Sequence, residues 1–349
     1  MLGSLEFFTR IVAAVYSFFF APDCGIFRDV RFTGHGKRVL VSGCDSGIGL
    51  RTAERLHKAG YQVLAGCLSD QSDGARKLSL LKGPHPVVVL QLDITKQDSV
   101  REALKKAEVQ EKVFLYMFTG LWGLVNNAGV CVLGEFEWMT QEQVENTFGV
   151  NVLGTLRLSK ACLPYIRKSK GRLVTITTVM AVSSFPGMSV YCASKFALET
   201  FCDVLRIELS RHGAYASVIR PGDLVKHTRI LEAQKSHAQD MWNAMDSEQQ
   251  SLYEPYMAAF ISGRANSGGM LGTEALDDSP VFGHIEHALG AARPRARYMS
   301  DKSLWPVFLR FLALLPTTLS DALQSLCYRV IFLHYGSQFA EKSTTEKVR

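Results

Sequence analysis

Short apolar runs punctuate the first two-thirds of the chain at regular intervals: Val39–Val41, Val63–Ala65, Val87–Leu92, Leu121–Val125, Leu173–Ile176 and Ser217–Ile219. They are rich in Val, Ile and Leu and do not alternate with polar residues, the pattern of strands buried on both faces. Between them lie stretches of helical periodicity, Leu50–Ala59, Val100–Glu111, Gln141–Tyr165 and Tyr191–His212. This βαβα order predicts an α/β fold, a doubly wound parallel sheet with helices on both sides. After Pro221-Gly222 the pattern loosens. Residues 223–280 read as a less sheet-like segment, a lid over a ligand site, and the last 70 residues or so as an apolar, basic tail. No internal repeat or low-complexity linker divides the chain. The predicted organisation is a hydrophobic segment over 1–35, one main domain over 36–300 and an apolar helical tail over 301–349.

The two ends suggest contact with a membrane. Ile11–Phe20 is strongly apolar and is interrupted by Ala21-Pro22-Asp23. Ten such residues fall short of the ~20 that span a bilayer. Extension back to Leu2 brings in Glu6 and Arg10, so a tilted or shallow anchor or an uncleaved signal is expected. It carries an acid and is not rich in Arg and Ser, so it reads poorly as a mitochondrial transit peptide. Leu304–Leu315 and Val330–Leu333 add apolar surface broken by Arg310 and Arg329. Attachment to a membrane surface is the expected role; closing a hydrophobic groove or a dimer contact is the competing one.

Composition excludes several classes. With 349 residues, 47% hydrophobic and 21% charged, the chain buries a substantial core and is not disordered. The net charge of +6 is spread out, and the densest basic cluster, Arg167-Lys168-Ser169-Lys170 with Arg172, reads as a helix end and its turn, so no nucleic-acid partner is expected. Eight cysteines, none in CxxC spacing, imply reduced, packed thiols. His284 and His287 form an HxxH without a nearby Cys or carboxylate triad, so no metal site is expected.

The chemistry enters with Ser42-Gly43-Cys44-Asp45-Ser46-Gly47-Ile48-Gly49, which joins the first strand to the first helix. Glycines let the backbone turn sharply and approach a pyrophosphate, and the helix N-terminus offers free N–H groups to it. Downstream stand Asn126-Asn127-Ala128-Gly129 at a strand end and Tyr191-Cys192-Ala193-Ser194-Lys195, whose tyrosine and lysine share a helix face at i and i+4. A tyrosine titrates near about 10, and a neighbouring ammonium favours its phenolate, making it a base for a substrate hydroxyl.

Together these motifs resemble the short-chain dehydrogenase/reductase family, whose fingerprint is TGxxxGxG, with Ser42 in place of the usual Thr. The resemblance is strong over about Lys37–Thr228 and implies a Rossmann-type fold and hydride transfer with a nicotinamide cofactor. It implies that Ser42, Gly43, Asp45, Ser46, Gly47, Ile48 and Gly49 cradle the cofactor and that Asp93 meets adenine. Asn127, Ala128 and Gly129 match the motif after the fourth strand, Pro221, Gly222 and Thr228 the loop over the nicotinamide amide. Tyr191 and Lys195 would act in catalysis and cofactor binding, Lys195 holding ribose hydroxyls, and Asn151 would hold a water in a proton relay. The family's catalytic serine lies thirteen residues before the tyrosine; that position is Thr178. Its hydroxyl can still bond the substrate oxygen, but its methyl stiffens χ1 and crowds the pocket. Thr177 is the fallback and should face the other way. The end of the second strand, Ala65-Gly66-Cys67-Leu68, carries no acid or base, and Asp45 would repel a 2′-phosphate, so NAD is expected rather than NADP.

Val-Ser-Gly-Cys-Asp-Ser-Gly, Leu-Trp-Gly-Leu-Val-Asn-Asn-Ala-Gly and Lys-Gly-Arg-Leu-Val look like the branch holding retinol dehydrogenases, hydroxysteroid dehydrogenases (17β type 2, 11β type 2) and 3-hydroxybutyrate dehydrogenase. A small acid needs a cation, and Val179–Val190 carries none; Lys226, His227 and Arg229 follow the proline-glycine turn. Met241, Trp242, Met245, Leu252, Tyr256, Met257 and Phe260 suit either a lid over a large apolar ligand or plain core. A secondary alcohol or ketone of a lipophilic substrate, a steroid or retinoid, is therefore expected. The alternatives are a small hydroxy acid and, because of Thr178, a weak or inactive dinucleotide-binding scaffold. The family implies a homodimer or homotetramer. The apolar ends point to the endoplasmic reticulum membrane, with a mitochondrial membrane as the alternative.

Overall fold

The structure is a computed structural model and describes residues 30–83, 85–113, 120–224, 227–254, 257 and 276–329. The N-terminal apolar segment, Lys226, Tyr256, Phe260 and Val330–Leu333 lie outside these residues.

Seven parallel strands form one sheet: β1 Arg38–Ser42, β2 Gln62–Cys67, β3 Val88–Gln91, β4 Gly123–Asn126, β5 Arg172–Ile176, β6 Tyr215–Pro221 and β7 Arg297–Ser300. Their spatial order is β3-β2-β1-β4-β5-β6-β7. The order reverses between β1 and β4, which opens a crevice at their carboxyl ends where such sheets take ligands. The helices are α1 Gly47–Lys58, α2 Asp73–Ser79, α3 Gln97–Val113, α4 Gln141–Phe148, α5 Thr155–Ser169, α6 Ser189–Ser210, α7 Gln234–Ala244, α8 over 247–254, α9 Pro280–Gly290, α10 Trp305–Leu314 and α11 over 317–329.

Alternate residues along each strand point to opposite faces, and both faces are apolar. Val39, Val41, Val63 and Ala65 meet Ala53 and Leu56 of α1 and Phe282, Ile285 and Leu289 of α9. Leu40, Leu64, Leu124 and Leu173 meet Val100 of α3, Leu158 and Ile166 of α5 and Leu205 of α6. The doubly wound expectation holds. The stretch Gln141–Tyr165, read as one helix, contains a π-helical turn at Gly149–Gly154 between α4 and α5. The basic cluster is the end of α5, where Lys170 takes a left-handed cap at φ 51°. β7, absent from the six apolar runs, adds the edge strand beside β6. His284 bonds Ser300 Oγ at 2.8 Å and His287 bonds the Tyr298 hydroxyl at 2.7 Å, so the HxxH pair joins α9 to β7. Seven described cysteines are free thiols, six of them buried.

Candidate active site

The crevice is built by close backbone approach. Ser42 Oγ, at the end of β1, accepts from the N–H groups of Asn127 and Ala128, both at 3.1 Å, so a serine suffices to lash β1 to the turn after β4. Asn127 Nδ2 returns two bonds, to the carbonyls of Ser42 and Gly43 at 2.9 and 3.0 Å. Gly43 has φ +72°, and a Cβ there would come 2.8 Å from Ala128 Cα. A Cβ on Gly49 would lie 2.1 Å from the Gly43 carbonyl oxygen, so the third glycine serves the packing of helix against turn. Ser46 caps α1 through its backbone alone, and the first turn carries no acid. Its N–H groups and partial positive charge are therefore open to a phosphate.

Asp45 has a fixed place. Its carboxylate accepts from the N–H groups of Leu68 (2.9 Å) and Ser69 (3.3 Å), just past β2. Asp93 accepts from the amide (2.9 Å) and hydroxyl (2.6 Å) of Thr95. Burial would raise its pKa, but the Thr95 bonds and Lys96 outweigh it and hold the carboxyl below the ordinary value. Both acids line a single cavity of about 670 Å³ that runs along Gly43, Gly47, Asn127 and Gly129 to Thr178, Tyr191 and Lys195. Pro221, Gly222 and Thr228 line it as well, and Thr228 Cγ2 stands 3.3 Å from where a Gly47 Cβ would be, so the loop after β6 folds over the glycine turn. The cradle fits a dinucleotide: the backbone is exposed where phosphates need it, and no acidic side chain blocks the helix end. Every expected site residue except Ser42, Gly49 and Asn151 lines this cavity, and those three brace its wall.

At its inner end, Lys195 Nζ donates to the Ile176 carbonyl at 3.2 Å and lies 5.8 Å from the centre of the Tyr191 ring. Burial lowers the Lys195 pKa to about 8. Burial also raises the Tyr191 phenol well above 10, with the neighbouring thiols Cys131 and Cys192 pushing the same way and a hydrogen bond with Thr178 pulling back. Within the protein alone the phenol therefore moves up, not down as expected beside an ammonium, because desolvation disfavours the charged forms of both groups. Thr178, buried at 8% exposure, presents its hydroxyl to the phenol while its oxygen accepts from the Met180 N–H at 3.2 Å. Thr177 faces away, its hydroxyl donating to Glu199 at 2.8 Å, so the fallback is removed.

Asn151 sits in the π-helical turn, fully buried. Its Oδ1 accepts from Val130 N (2.8 Å), and its Nδ2 donates to Val130 O (2.9 Å) and Ser194 Oγ (3.0 Å). One donor braces the turn beside Gly129 and the other holds Ser194 of α6, which leaves one acceptor lone pair for a water. Ser194 and Glu199, on the helix that carries Tyr191 and Lys195, were not singled out from the sequence; their spacing from Tyr191 was the available signal. Trp305 and Phe185 also line the cavity. Of the methionine-rich segment, Met241, Met245 and Met257 turn inward on Trp138 and Val132 as core, and the cavity is touched instead by Leu224, Ile230 and Leu231.

A model of the short chain dehydrogenase family matches residues 37–239. The mitochondrial D-beta-hydroxybutyrate dehydrogenase of Rattus norvegicus is 33% identical over 322 residues, 90% of this chain and 91% of that protein. Retinol dehydrogenase 16 of Mus musculus is 37% identical over 294 residues, 82% of this chain and 87% of that protein. Among solved structures, a short-chain dehydrogenase from Streptomyces avermitilis matches with a TM-score of 0.61 at 23% identity, over 86% of this chain and 98% of that one. A 3-ketoacyl-(acyl-carrier-protein) reductase from Brucella melitensis, complexed with NADH, matches with a TM-score of 0.51 at 23% identity over 59% of this chain and 82% of that one.

Proposed function

Because this chain belongs to the short-chain dehydrogenase family and is a nicotinamide-dependent oxidoreductase, we propose that it interconverts a lipophilic alcohol, a steroid or retinoid, and its carbonyl with NAD. The observation that carries the substrate class is the wall beyond Tyr191: Cys131, Leu133, Val179, Met180, Phe185 and Met188. Such a wall holds carbon and offers a carboxylate nothing. Arg229 and Lys302 stand at the lip and keep a small hydroxy acid as the second reading. Arg229 is engaged by Glu232 at 2.6 Å, and Lys302 donates to the Asp278 carbonyl at 3.1 Å. Asp45 supports NAD, since its anchored carboxylate faces the region where a 2′-phosphate would sit.

When bound, the nicotinamide supplies the hydride acceptor. The protein's own part is proton transfer and alignment. Tyr191 Oη takes the proton of the substrate hydroxyl, and returns it to the forming alkoxide in the reverse direction. Thr178, its oxygen occupied by the Met180 N–H and its hydroxyl turned to the Tyr191 phenol, stands where its proton would pass to a substrate oxygen seated between the two. Lys195 spends one N–H on Ile176 and keeps two for ribose hydroxyls, its ammonium favouring the phenolate.

The test is reduction of NAD or NADP by purified protein with a panel holding a 17β-hydroxysteroid, all-trans-retinol and 3-hydroxybutyrate. Turnover of a lipophilic alcohol with NAD preferred is expected. Tyr191→Phe should lower kcat by about 10²–10⁴-fold and leave NAD affinity nearly unchanged. Cofactor binding without turnover on any member would make the protein a scaffold. Turnover of the hydroxy acid alone would select the second reading.

Exposed Phe196, Val204 and Ile207 on the outer face of α6 support a homodimer or homotetramer, which a sedimentation mass of one chain would refute. Exposed Phe311, Leu314, Leu319 and Leu326 support attachment to a membrane surface, at the endoplasmic reticulum or a mitochondrion; failure to float with lipid vesicles would refute it. No helix among the described residues is long and apolar enough to cross a membrane.

A further inference from the structure

We infer that Trp305 is a specificity-determining residue: its indole forms the far wall of the substrate cavity and selects alcohols with a bulky apolar body. This deepens the proposed reaction and rests on it. The segment that carries Trp305 reads in sequence first as a membrane-surface tail and second as the cover of a hydrophobic groove, and the fold turns half of it inward.

Leaving β7, Asp301 Oδ1 accepts from Ser303 N at 2.8 Å, and Ser303 Oγ accepts from Trp305 N at 3.2 Å. These two nested turns, followed by Pro306 in the first turn of α10, fix where the helix starts and so where the indole lies. The inner face of α10 is anchored by Leu309 and Leu312, both essentially inaccessible, against Val179, Met180 and Phe185. Val179 and Met180 directly follow Thr178, so the wall is tied to the catalytic threonine.

The return helix α11 completes the hold. Phe185 is sandwiched edge-on by Trp305 (ring centres 6.2 Å, 65°) and Tyr328 (6.3 Å, 69°). The Tyr328 hydroxyl then donates to Glu135 at 2.9 Å, two residues past Leu133 of the cavity wall. The two C-terminal helices are thereby strapped across the substrate end, from β7 to the loop after β4. An indole held this way cannot swing aside cheaply, and it offers a flat apolar face to a ring system while giving a short chain little to touch.

The experiment compares a 17β-hydroxysteroid with 2-butanol in the wild type, Trp305→Ala and Trp305→Phe. Trp305→Ala should lower kcat/KM for the steroid about tenfold or more, chiefly through KM, and leave 2-butanol within about threefold and the NAD dissociation constant within about twofold. Trp305→Phe should recover most of the loss. Equal losses on both alcohols, or none, would overturn the inference. If the alanine variant does not fold, Trp305→Leu serves in the same readout. Equilibrium binding of the radiolabelled steroid supplies a measure independent of turnover. Steroid bound by the wild type, weakly bound by Trp305→Ala and turned over by neither would refute the reaction and keep the wall.

Discussion

The proposed reaction asks Lys195 to carry its charge towards ribose hydroxyls and a phenolate, yet it is only 5% exposed, and burial brings its pKa down from 10.5 to about 8. Below pH 8 the folded and unfolded chains both carry the proton, so the full cost of burying an ammonium weighs against folding. Between about 8 and 10.5 the folded lysine has lost its proton and the unfolded one has not. The unfolded state binds more protons there, so stability rises with pH across that window. The interval corresponds to roughly 3 kcal/mol. Lys195→Met removes the charge while filling the space, and should stabilise the cofactor-free protein at pH 7 by up to about 3 kcal/mol while abolishing turnover. Urea titrations at pH 7 and pH 10 check it. The advantage of the variant should shrink at the higher pH, and an equal difference at both would rule out the ammonium as its source.

At the scale of elements, the π-helical turn Gly149–Gly154 shows what a local reading reaches and what escapes it. The glycine turn, the Asn-Asn-Ala-Gly turn and the Tyr–Lys pair were legible because each is a short string whose backbone demands follow from its own residues. The bulge lies inside a stretch read as one helix, where a local distortion at Asn151 is only the alternative reading; its brace, the contact between Asn151 and Val130, spans twenty-one residues. β7 was missed for a similar reason. It is four residues long and begins with Arg297, whose charge is satisfied by Glu199 and Asp203 from α6. Asn151→Ala would strand the Val130 N–H and carbonyl and loosen Ser194. A loss of about 2–4 kcal/mol in urea unfolding is expected. Gly129 adjoins Val130, and a Cβ on it would come 3.4 Å from Lys195 Nζ, so cofactor affinity should fall as well. Unchanged affinity in a folded variant would show that the turn holds without its brace.

Across the whole molecule, one buried acid joins what the sequence keeps far apart. Glu199, on the helix that carries Tyr191 and Lys195, accepts from Thr177 at the end of β5 (2.8 Å), from Arg220 of β6 in a two-pronged pair (2.9 Å each) and from Arg297 of β7 (3.1 Å). The carboxyl ends of β5 and β6 and the first residue of β7 are thus fastened to the helix that carries Tyr191 and Lys195, and Thr177 is the residue before Thr178. Arg297 keeps Asp203 when Glu199 is neutralised, whereas Arg220, nine-tenths buried, loses its carboxylate. Glu199→Gln should therefore cost about 3–5 kcal/mol, the penalty of an uncompensated buried charge. Arg220→Met added to it should restore part of that loss, since no charge is then stranded. Saturating NAD should raise the melting temperature of the single variant towards that of the wild type, because ligand binding favours the folded helix. A Glu199→Gln protein as stable as the wild type, or a double variant weaker than the sum of its parts, would mean that the active-site end of the sheet is held by packing alone.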